Sequence, residues 1–449
     1  MVRCVTLDDN ENDVYPMRIN LKTLGCRLNE AELETWARQF QSEGHRIVQK
    51  SSEADLIVFN SCAVTNDAVR KSKHLIRRTH RENPSAKLLV TGCYASLNSD
   101  EVKAALGVDF VVTNSDKGRL VEIAKENLAI PTMPSLATEP GEASLFALGR
   151  QRAFVKVQDG CRYRCTYCIV TLARGEETSR GIADILEEIN ALHAEGIQEA
   201  ILTGVHLGGW GNDLGLRLED LILAIMENTD IPRLRLGSLE PWELTDKFFD
   251  LLQNDRLMPH LHLPLQSGSD TVLRRMARRC KTTEFAHLAA RARQACPDIN
   301  LTTDIIVGFP GETEKEWEDS LNFIRAQGFG HIHLFGYSSR IGTKAASMPD
   351  PVPAAVIKHR VQQLHRIAGE QKRANLKRFL GREFPVLWEE GRESQGGGDK
   401  LFPGYTPNYL RVETTAGRER DLCRQIATAR MVSVADGGDC LIGELVSGY

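Results

Sequence analysis

Three cysteines crowd one short stretch: Cys161, Cys165 and Cys168 in the run CRYRCTYC. Thiolates are the ligands that zinc and iron–sulfur clusters select. A structural zinc site takes four protein ligands, yet no Cys or His follows Cys168 at the usual spacing, and the next histidine is His193, inside a helical pattern. Three thiolates on one tight loop instead suit three corners of a 4Fe-4S cubane and leave one iron without a protein ligand. That open iron can chelate a small molecule, much as a catalytic zinc keeps an open position. The amino group and carboxylate of S-adenosylmethionine suit the role. An electron from the cluster can then cleave the sulfonium bond and release a carbon-centred radical.

A second trio is dispersed. Cys26 follows NLKTLG, Cys62 follows LIVFNS and Cys93 follows KLLVTG, each just past a strand-like run and just before a helical pattern. Strand exits of a parallel sheet share one edge, where such folds bind ligands. One such cysteine alone is more often a core residue than a ligand; three at equivalent exits favour metal ligation. Cys4, Cys296, Cys423 and Cys440 lack partners at useful spacing and are expected to be ordinary thiols. With 11 cysteines in 449 residues and no secretion signal in residues 1–20, a disulfide framework is not expected, and a reducing compartment is.

The elements that must position these residues fall into three regions of an α/β chain. In 17–130 the strand-like runs MRINLKTLG, HRIVQ, ADLIVFNS, AKLLVTG and VDFVVTN alternate with helical patterns, which predicts an amino-terminal doubly wound α/β domain. Residues 131–150, rich in Pro, Gly, Ser and Ala, read as a linker. In 151–376 the alternation repeats six times, through AFVKVQDG, EAILTGVHLG, RLRLGSLEP, HLHLPLQSG, NLTTDIIVGFPGE and HIHLFGYSS. Six βα units predict a partial or closed barrel, a (β/α)6 core. Its polar, glycine-rich strand tails would share one face with the cysteine loop. In 378–449 the short runs FPVLWEE, YLRVETT, QIATARMVSVAD and CLIGELVSG predict a small carboxy-terminal β-barrel.

A net charge of -4 gives no global drive toward nucleic acid, so a polyanion must meet local patches. Lys358, Arg360, Arg366, Lys372, Arg373, Lys377, Arg378 and Arg382, against Glu370 alone, form one basic stretch, and 70–78 forms another. Phosphate contact and a solvated helix face stand level as readings of the first. No run of about 18 apolar residues exists, so no membrane span is expected.

CxxxCxxC at the end of the first strand of a six-unit barrel resembles the radical S-adenosylmethionine superfamily. YCIVTLARG, TSRG, LTGVHLG, RLRLGSLEP, HLHLPLQSGSD, DIIVGFPGET and FGYSSRIGT extend the resemblance to the methylthiotransferases. KTLGCRLNE, NSCAVT and VTGCYA are similar to that group's amino-terminal domain, and GYTPNYLRV to its TRAM module, a small RNA-binding barrel. Within the group, TLGCRLNE, NSCAVTNDAVRKS and GVHLGGWG look most like the branch acting on N6-threonylcarbamoyladenosine in bacterial tRNA. The alternatives are the branches acting on isopentenyladenosine or on a ribosomal protein aspartate. A non-catalytic iron–sulfur RNA-binding protein is the alternative of another class. The chain departs from the family at Thr171-Leu172, where Pro-Tyr is common, and at Cys280, where an aromatic is usual.

The resemblance implies that Cys161, Cys165 and Cys168 bind a 4Fe-4S cluster that cleaves S-adenosylmethionine. It implies that Cys26, Cys62 and Cys93 bind a second, whose open iron carries the sulfur to be transferred. The product would be a methylthio group on adenine carbon 2, beside the anticodon. That carbon has no acidic proton, which explains a radical and leaves no side-chain acid or base expected as catalyst. Tyr167 would lie near the cofactor's adenine, and Gly204 and Gly308 would allow close backbone approach to a ligand. Gln266 and Ser267 would bond cofactor hydroxyls or the carboxylate, and Arg174 and Arg180 would neutralise a carboxylate or phosphate. His260, His262, His331 and His333 alternate along separate strands, each pair on one face, and a structural or polar-lining role is expected of them rather than a metal site. Implied partners are tRNA, S-adenosylmethionine and an electron donor such as flavodoxin or ferredoxin, in the cytoplasm.

Overall fold

The computed structural model describes residues 16–128, 130, 151–393 and 399–446. The stretch read as a linker, 131–150, and Cys4 lie outside the described residues. The described residues fall into two compact units, one of 16–25, Glu32–Cys62 and 67–130, the other of Cys26–Ala31, Ala63–Asn66 and 151–446.

The first unit is built on a parallel sheet ordered β2-β1-β3-β4-β5, from β1 (Arg18–Thr23), β2 (Arg46–Ile47), β3 (Leu56–Ser61), β4 (Lys87–Gly92) and β5 (Phe110–Val111). Every residue of β3 is buried, as a central strand covered on both faces requires, and its sequence LIVFNS is apolar almost throughout. Ile19, Trp36, Phe40, Leu56, Val58, Leu89 and Leu120 form one core. Within it, Lys117 Nζ lies 2.5 Å from Glu32 Oε2 and 3.0 Å from Asn60 Oδ1. A buried charge needs such partners, because desolvation of an unpaired ammonium would cost several kcal/mol.

In the second unit β6 (Arg152–Lys156), β9 (Glu199–Thr203) and β10 (Arg233–Leu236) pair in parallel. So do β11 (His260–His262), β12 (Asn300–Val307) and β13 (His331–Gly336). Parallel bridges Leu234↔Leu257 and Ser238↔His262 join the two sets. The strands therefore run β6-β9-β10-β11-β12-β13 as an open barrel, with no β13–β6 pairing among the described residues. A small antiparallel pair, β7 (Gln158–Asp159) with β8 (Thr178–Ser179), follows β6. Helices cover the outside. Ile182–Ala194 buries Ile185, Ile189 and Leu192, the spacing of one helical face. Glu314–Gln327 starts at a capping box of Thr313 and Glu316.

The carboxy-terminal barrel closes five antiparallel and parallel strands in the order β14-β18-β19-β17-β16, with β14 pairing β16. These are β14 (Glu383–Trp388), β16 (Asp399–Tyr405), β17 (Arg411–Gly417), β18 (Ile426–Val434) and β19 (Leu441–Leu445); a short β15 (Arg392–Glu393) flanks β16. Its core holds Val386, Trp388, Phe402, Val412, Met431 and Leu441. Strand β16 was not among the expected runs, because Pro403 and Gly404 disguise it; seven register pairs with β17 override that local preference.

The basic stretch is less exposed than its composition suggests. In the helix Ala354–Lys377, Arg360 is buried, with Nη1 3.0 Å from Glu312 Oε2 and Nη2 2.9 Å from Glu314 Oε2. Arg382 pairs with Asp298 at 2.5 Å.

Candidate functional site

The cysteine loop leaves the barrel beyond β6 and β7 through Gly160, whose φ of 72° no L side chain adopts easily. A Cβ there would stand 1.8 Å from the Glu176 carbonyl oxygen. The loop is tied down by backbone bonds from Cys161 N to Gly175 O (3.2 Å), Cys168 N to Cys165 O (3.0 Å) and Thr166 N to Met276 O (3.0 Å). Arg278 reaches in from beyond β11: Nη1 lies 3.9 Å from Cys165 Sγ, Nη2 lies 2.7 Å from Glu240 Oε2, and its guanidinium covers Trp242.

Burial pushes the Cys161 thiol up to about 11 and Cys168 to about 12, and the mutual charges of the three sulfurs add to it. Metal ligation requires thiolates, so this trio calls for a strongly cationic group among the sulfurs. An iron–sulfur cluster meets that demand, and the donor set fits one.

Cys161 also stands with Glu177 and His206, their ligand atoms within 4.8 Å of one another. His206 Nδ1 lies 2.5 Å from Glu177 Oε1 and Nε2 3.4 Å from Glu243 Oε1. Burial works against its charge, but these carboxylates raise its pKa overall. Glu177 engages Nδ1 and Glu243 stands opposite Nε2, which ties the imidazole to the chain's own carboxylates. The group braces the loop, with Tyr163 bonded to Glu243 as well.

The remaining expected residues gather around the same strand ends, but their partners are largely other parts of the chain. Gly204 faces Gln158, whose Oε1 would be 2.8 Å from a Cβ, and the Gln158 amide donates to Gly160 O at 2.8 Å. Gly308 (φ 78°) faces Ile357, 2.4 Å from a Cβ. Arg180 donates from Nη1 to Lys156 O (2.7 Å) and Glu188 Oε2 (2.6 Å), and buried Arg174 pairs with Asp159 at 3.0 Å. Gln266 takes a left-handed φ of 77°, and its backbone extends the sheet through Gln266 N to Asp304 O (2.8 Å). Ser267 is buried and accepts from Ser269 N at 3.3 Å. The Tyr167 ring packs against Val272, Met276 and Phe309.

Cys62 and Cys93 follow directly on β3 and β4, neighbours in the sheet, and Cys26 follows β1, the neighbour of β3 on its other side. Gly92, at φ 98°, would place a Cβ 2.2 Å from Ser61 O, so only glycine lets the two exits lie so close. Asn114 Nδ2 lies 3.8 Å from Cys93 Sγ, and the Cys26 thiol 3.8 Å from Asn29 Oδ1.

Sequence reading missed what the histidines do together. Strands β11 and β13 both flank β12, so His262, Asp304 and His333 bring ligand atoms within 4.8 Å of one another. Thr302 Oγ1 bridges His260 Nε2 (3.0 Å) and His262 Nδ1 (2.9 Å), and His262 Nε2 lies 3.2 Å from Asp304 Oδ1. The signal was Asp304 in TTDIIVGFPGE, at an inward position beside two histidine-bearing strands.

Residues 18–113 match the family described as Uncharacterized protein family UPF0004, and 155–324 match the Radical SAM superfamily. The chain is 35% identical to the threonylcarbamoyladenosine tRNA methylthiotransferase of Bacillus subtilis (strain 168), over 87% of this chain and 88% of that protein. It is 36% identical to the protein of the same name from Thermotoga maritima, covering 89% and 92%. Against a tRNA-2-methylthio-N(6)-dimethylallyladenosine synthase of Cereibacter sphaeroides (strain ATCC 17025) the identity is 34%, covering 96% and 98%. Among solved structures, the radical S-adenosylmethionine methyltransferase TsrM from Kitasatospora setae, with cobalamin and a [4Fe-4S] cluster bound, shares the fold. Its TM-score is 0.54 at 16% identity, covering 74% of this chain and 77% of that one.

Proposed function

The chain belongs to the radical S-adenosylmethionine methylthiotransferase family, and from that premise we propose that it methylthiolates carbon 2 of N6-threonylcarbamoyladenosine beside the anticodon of tRNA. What carries the reading is the three-cysteine loop at the C-terminal end of a six-strand parallel barrel, where such folds hold their active sites. For the substrate, support comes from the two relatives named for threonylcarbamoyladenosine and from the runs TLGCRLNE and NSCAVTNDAVRKS.

In this reading Cys161, Cys165 and Cys168 hold one 4Fe-4S cluster, and Cys26, Cys62 and Cys93 hold the other. With S-adenosylmethionine, these groups supply an electron, the 5′-deoxyadenosyl radical and the sulfur to be transferred. The chain's own part is placement. Arg278 sets a fixed positive charge beside Cys165. Tyr167, Gln266 and Ser267 are assigned to S-adenosylmethionine. Gly204 and Gly308 act one step back, by admitting Gln158 and Ile357, and Arg180 by pinning the helix that follows it to Glu188. No side-chain acid or base is assigned to the bond-making step. The partners required are tRNA and a small reductant such as flavodoxin or ferredoxin, and the compartment is the cytoplasm.

Mass spectrometry of tRNA nucleosides from cells with and without the protein tests this. Loss of 2-methylthio-N6-threonylcarbamoyladenosine supports it. Loss of the isopentenyl derivative instead moves the chain to the other tRNA branch, and an unchanged profile rejects both.

A further inference from the structure

The inner wall at β11–β13 has a chemistry that the sulfur transfer does not use. His331, His333 and Phe335 occupy alternate positions of β13 and are exposed, while Ile332 between them is buried on the opposite face. Asp304 of β12 and His262 of β11 stand beside that row. Arg27 completes the group from within the same unit: its guanidinium lies over Tyr409 at 5.7 Å from the ring, and the Tyr409 ring lies 4.9 Å from that of His260.

We propose that Asp304, His333 and Arg27 form the pocket that reads the polar substituent on N6 of the target adenosine, an inference that rests on the tRNA reading above. A threonylcarbamoyl group presents N–H donors, a hydroxyl and a carboxylate; an isopentenyl group presents one N–H and a branched hydrocarbon. Asp304 is an acceptor for the carbamoyl N–H groups, and the chain His260–Thr302–His262–Asp304 fixes its orientation. Arg27 is the cation for the substrate carboxylate, and His333, beside Asp304, is a hydrogen-bonding group. An apolar tail placed here would strand all of these polar groups, which a site built for hydrogen bonding penalises heavily. Phe335 offers the purine an aromatic face. It lies two residues beyond His333, about 7 Å along a strand, the reach from a stacked base to its N6 substituent.

The same atoms resemble a two-histidine, one-carboxylate metal site. Two features favour the hydrogen-bonding reading. Both ring nitrogens of His262 are engaged, by Thr302 and by Asp304, and Arg27 and Arg235 both lie over Tyr409, whose ring is against His260.

The test uses reconstituted holoenzyme and anticodon stem-loop RNAs carrying either threonylcarbamoyladenosine or isopentenyladenosine. Asp304→Asn and Arg27→Gln, at parental iron content, are each expected to raise KM for the threonylcarbamoyl RNA by about tenfold to a hundredfold. Turnover at saturation should change little, and Arg27→Lys should recover part of the loss. Parental discrimination in both variants overturns the inference while leaving the proposed function intact. A parent enzyme that prefers the isopentenyl RNA overturns the substrate assignment itself, and this inference with it. One equivalent of Co2+ bound without thiolate charge-transfer absorption, and lost in His333→Ala, would make the group a metal site and also overturn it.

Discussion

Arg235 and Glu199 form a two-pronged ion pair inside the barrel, Nε to Oε1 at 2.7 Å and Nη2 to Oε2 at 3.0 Å, with both side chains 0% exposed. It joins neighbouring strands β10 and β9, and Arg233 adds a second contact to Glu199 at 3.8 Å. Tyr409 of the carboxy-terminal barrel covers the Arg235 guanidinium at 4.4 Å. Planar, bidentate geometry and an aromatic lid are what make a buried guanidinium tolerable.

Removing the carboxylate alone should therefore be costly. Glu199→Gln leaves Arg235 and Arg233 facing one another without a counter-charge, a loss of about 3–5 kcal/mol by the usual cost of breaking a buried pair. Burial alone would raise the Glu199 pKa, but Arg235, Arg152 and Arg233 together hold it below its ordinary value. A depressed carboxylate stabilises the fold above its unfolded pKa, and that contribution is lost as pH falls through the folded value. Thermal melting against pH should show an acid-side decline in the parent that is shallower in Glu199→Gln. Equal slopes would remove Glu199 from the account.

Cys161→Ala should abolish 5′-deoxyadenosine formation from S-adenosylmethionine in reduced protein. Iron should fall by about four atoms per chain, one cubane, while the circular dichroism stays parental. Normal cleavage by this variant would remove Cys161, Cys165 and Cys168 from the cofactor site.

Much of this was legible in the residues because strand exits and cysteine spacing are local. The run CRYRCTYC, the six βα units and the exits before Cys26, Cys62 and Cys93 all follow from patterns a few residues long. What was not legible depends on which strands become neighbours. His262, Asp304 and His333 lie far apart in the chain and meet only because β12 sits between β11 and β13. Gly204 and Gly308 read as openings for a ligand, yet the space each leaves is filled by Gln158 and Ile357. Arg360 counted toward a basic face until its partners Glu312 and Glu314 were in place.

Cys62→Ala should separate the two halves of the chemistry. It leaves the CRYRCTYC loop intact, so 5′-deoxyadenosine should still form, but no methylthiolated nucleoside should appear in tRNA. Gly92→Ala should act in the same direction, since its Cβ would meet Ser61 O at 2.2 Å between the exits that precede Cys62 and Cys93. Thiomethylated product from Cys62→Ala would show that sulfur transfer does not use that trio.

Tyr409 gives the last prediction, because its sequence context and its structural surroundings point in different directions. The run GYTPNYLRV is similar to an RNA-binding module, and aromatic rings in such modules can stack on bases. The Tyr409 ring instead stacks on Tyr405 (4.9 Å) and lies against His260 (4.9 Å) and Arg235, while its hydroxyl accepts from Arg152 Nη1 at 3.2 Å. Its φ of 64° is a strained value for a non-glycine residue, held by these contacts. Tyr409→Phe keeps the ring and loses one hydrogen bond, so it should cost only about 0.5–1.5 kcal/mol. Tyr409→Ala removes the lid from a buried guanidinium and should cost about 3–5 kcal/mol, read as a fall in the chain's melting temperature. RNA affinity measured below the melting range should change little in Tyr409→Phe. A large loss of RNA binding in that variant, with unchanged melting, would instead place Tyr409 on an RNA surface.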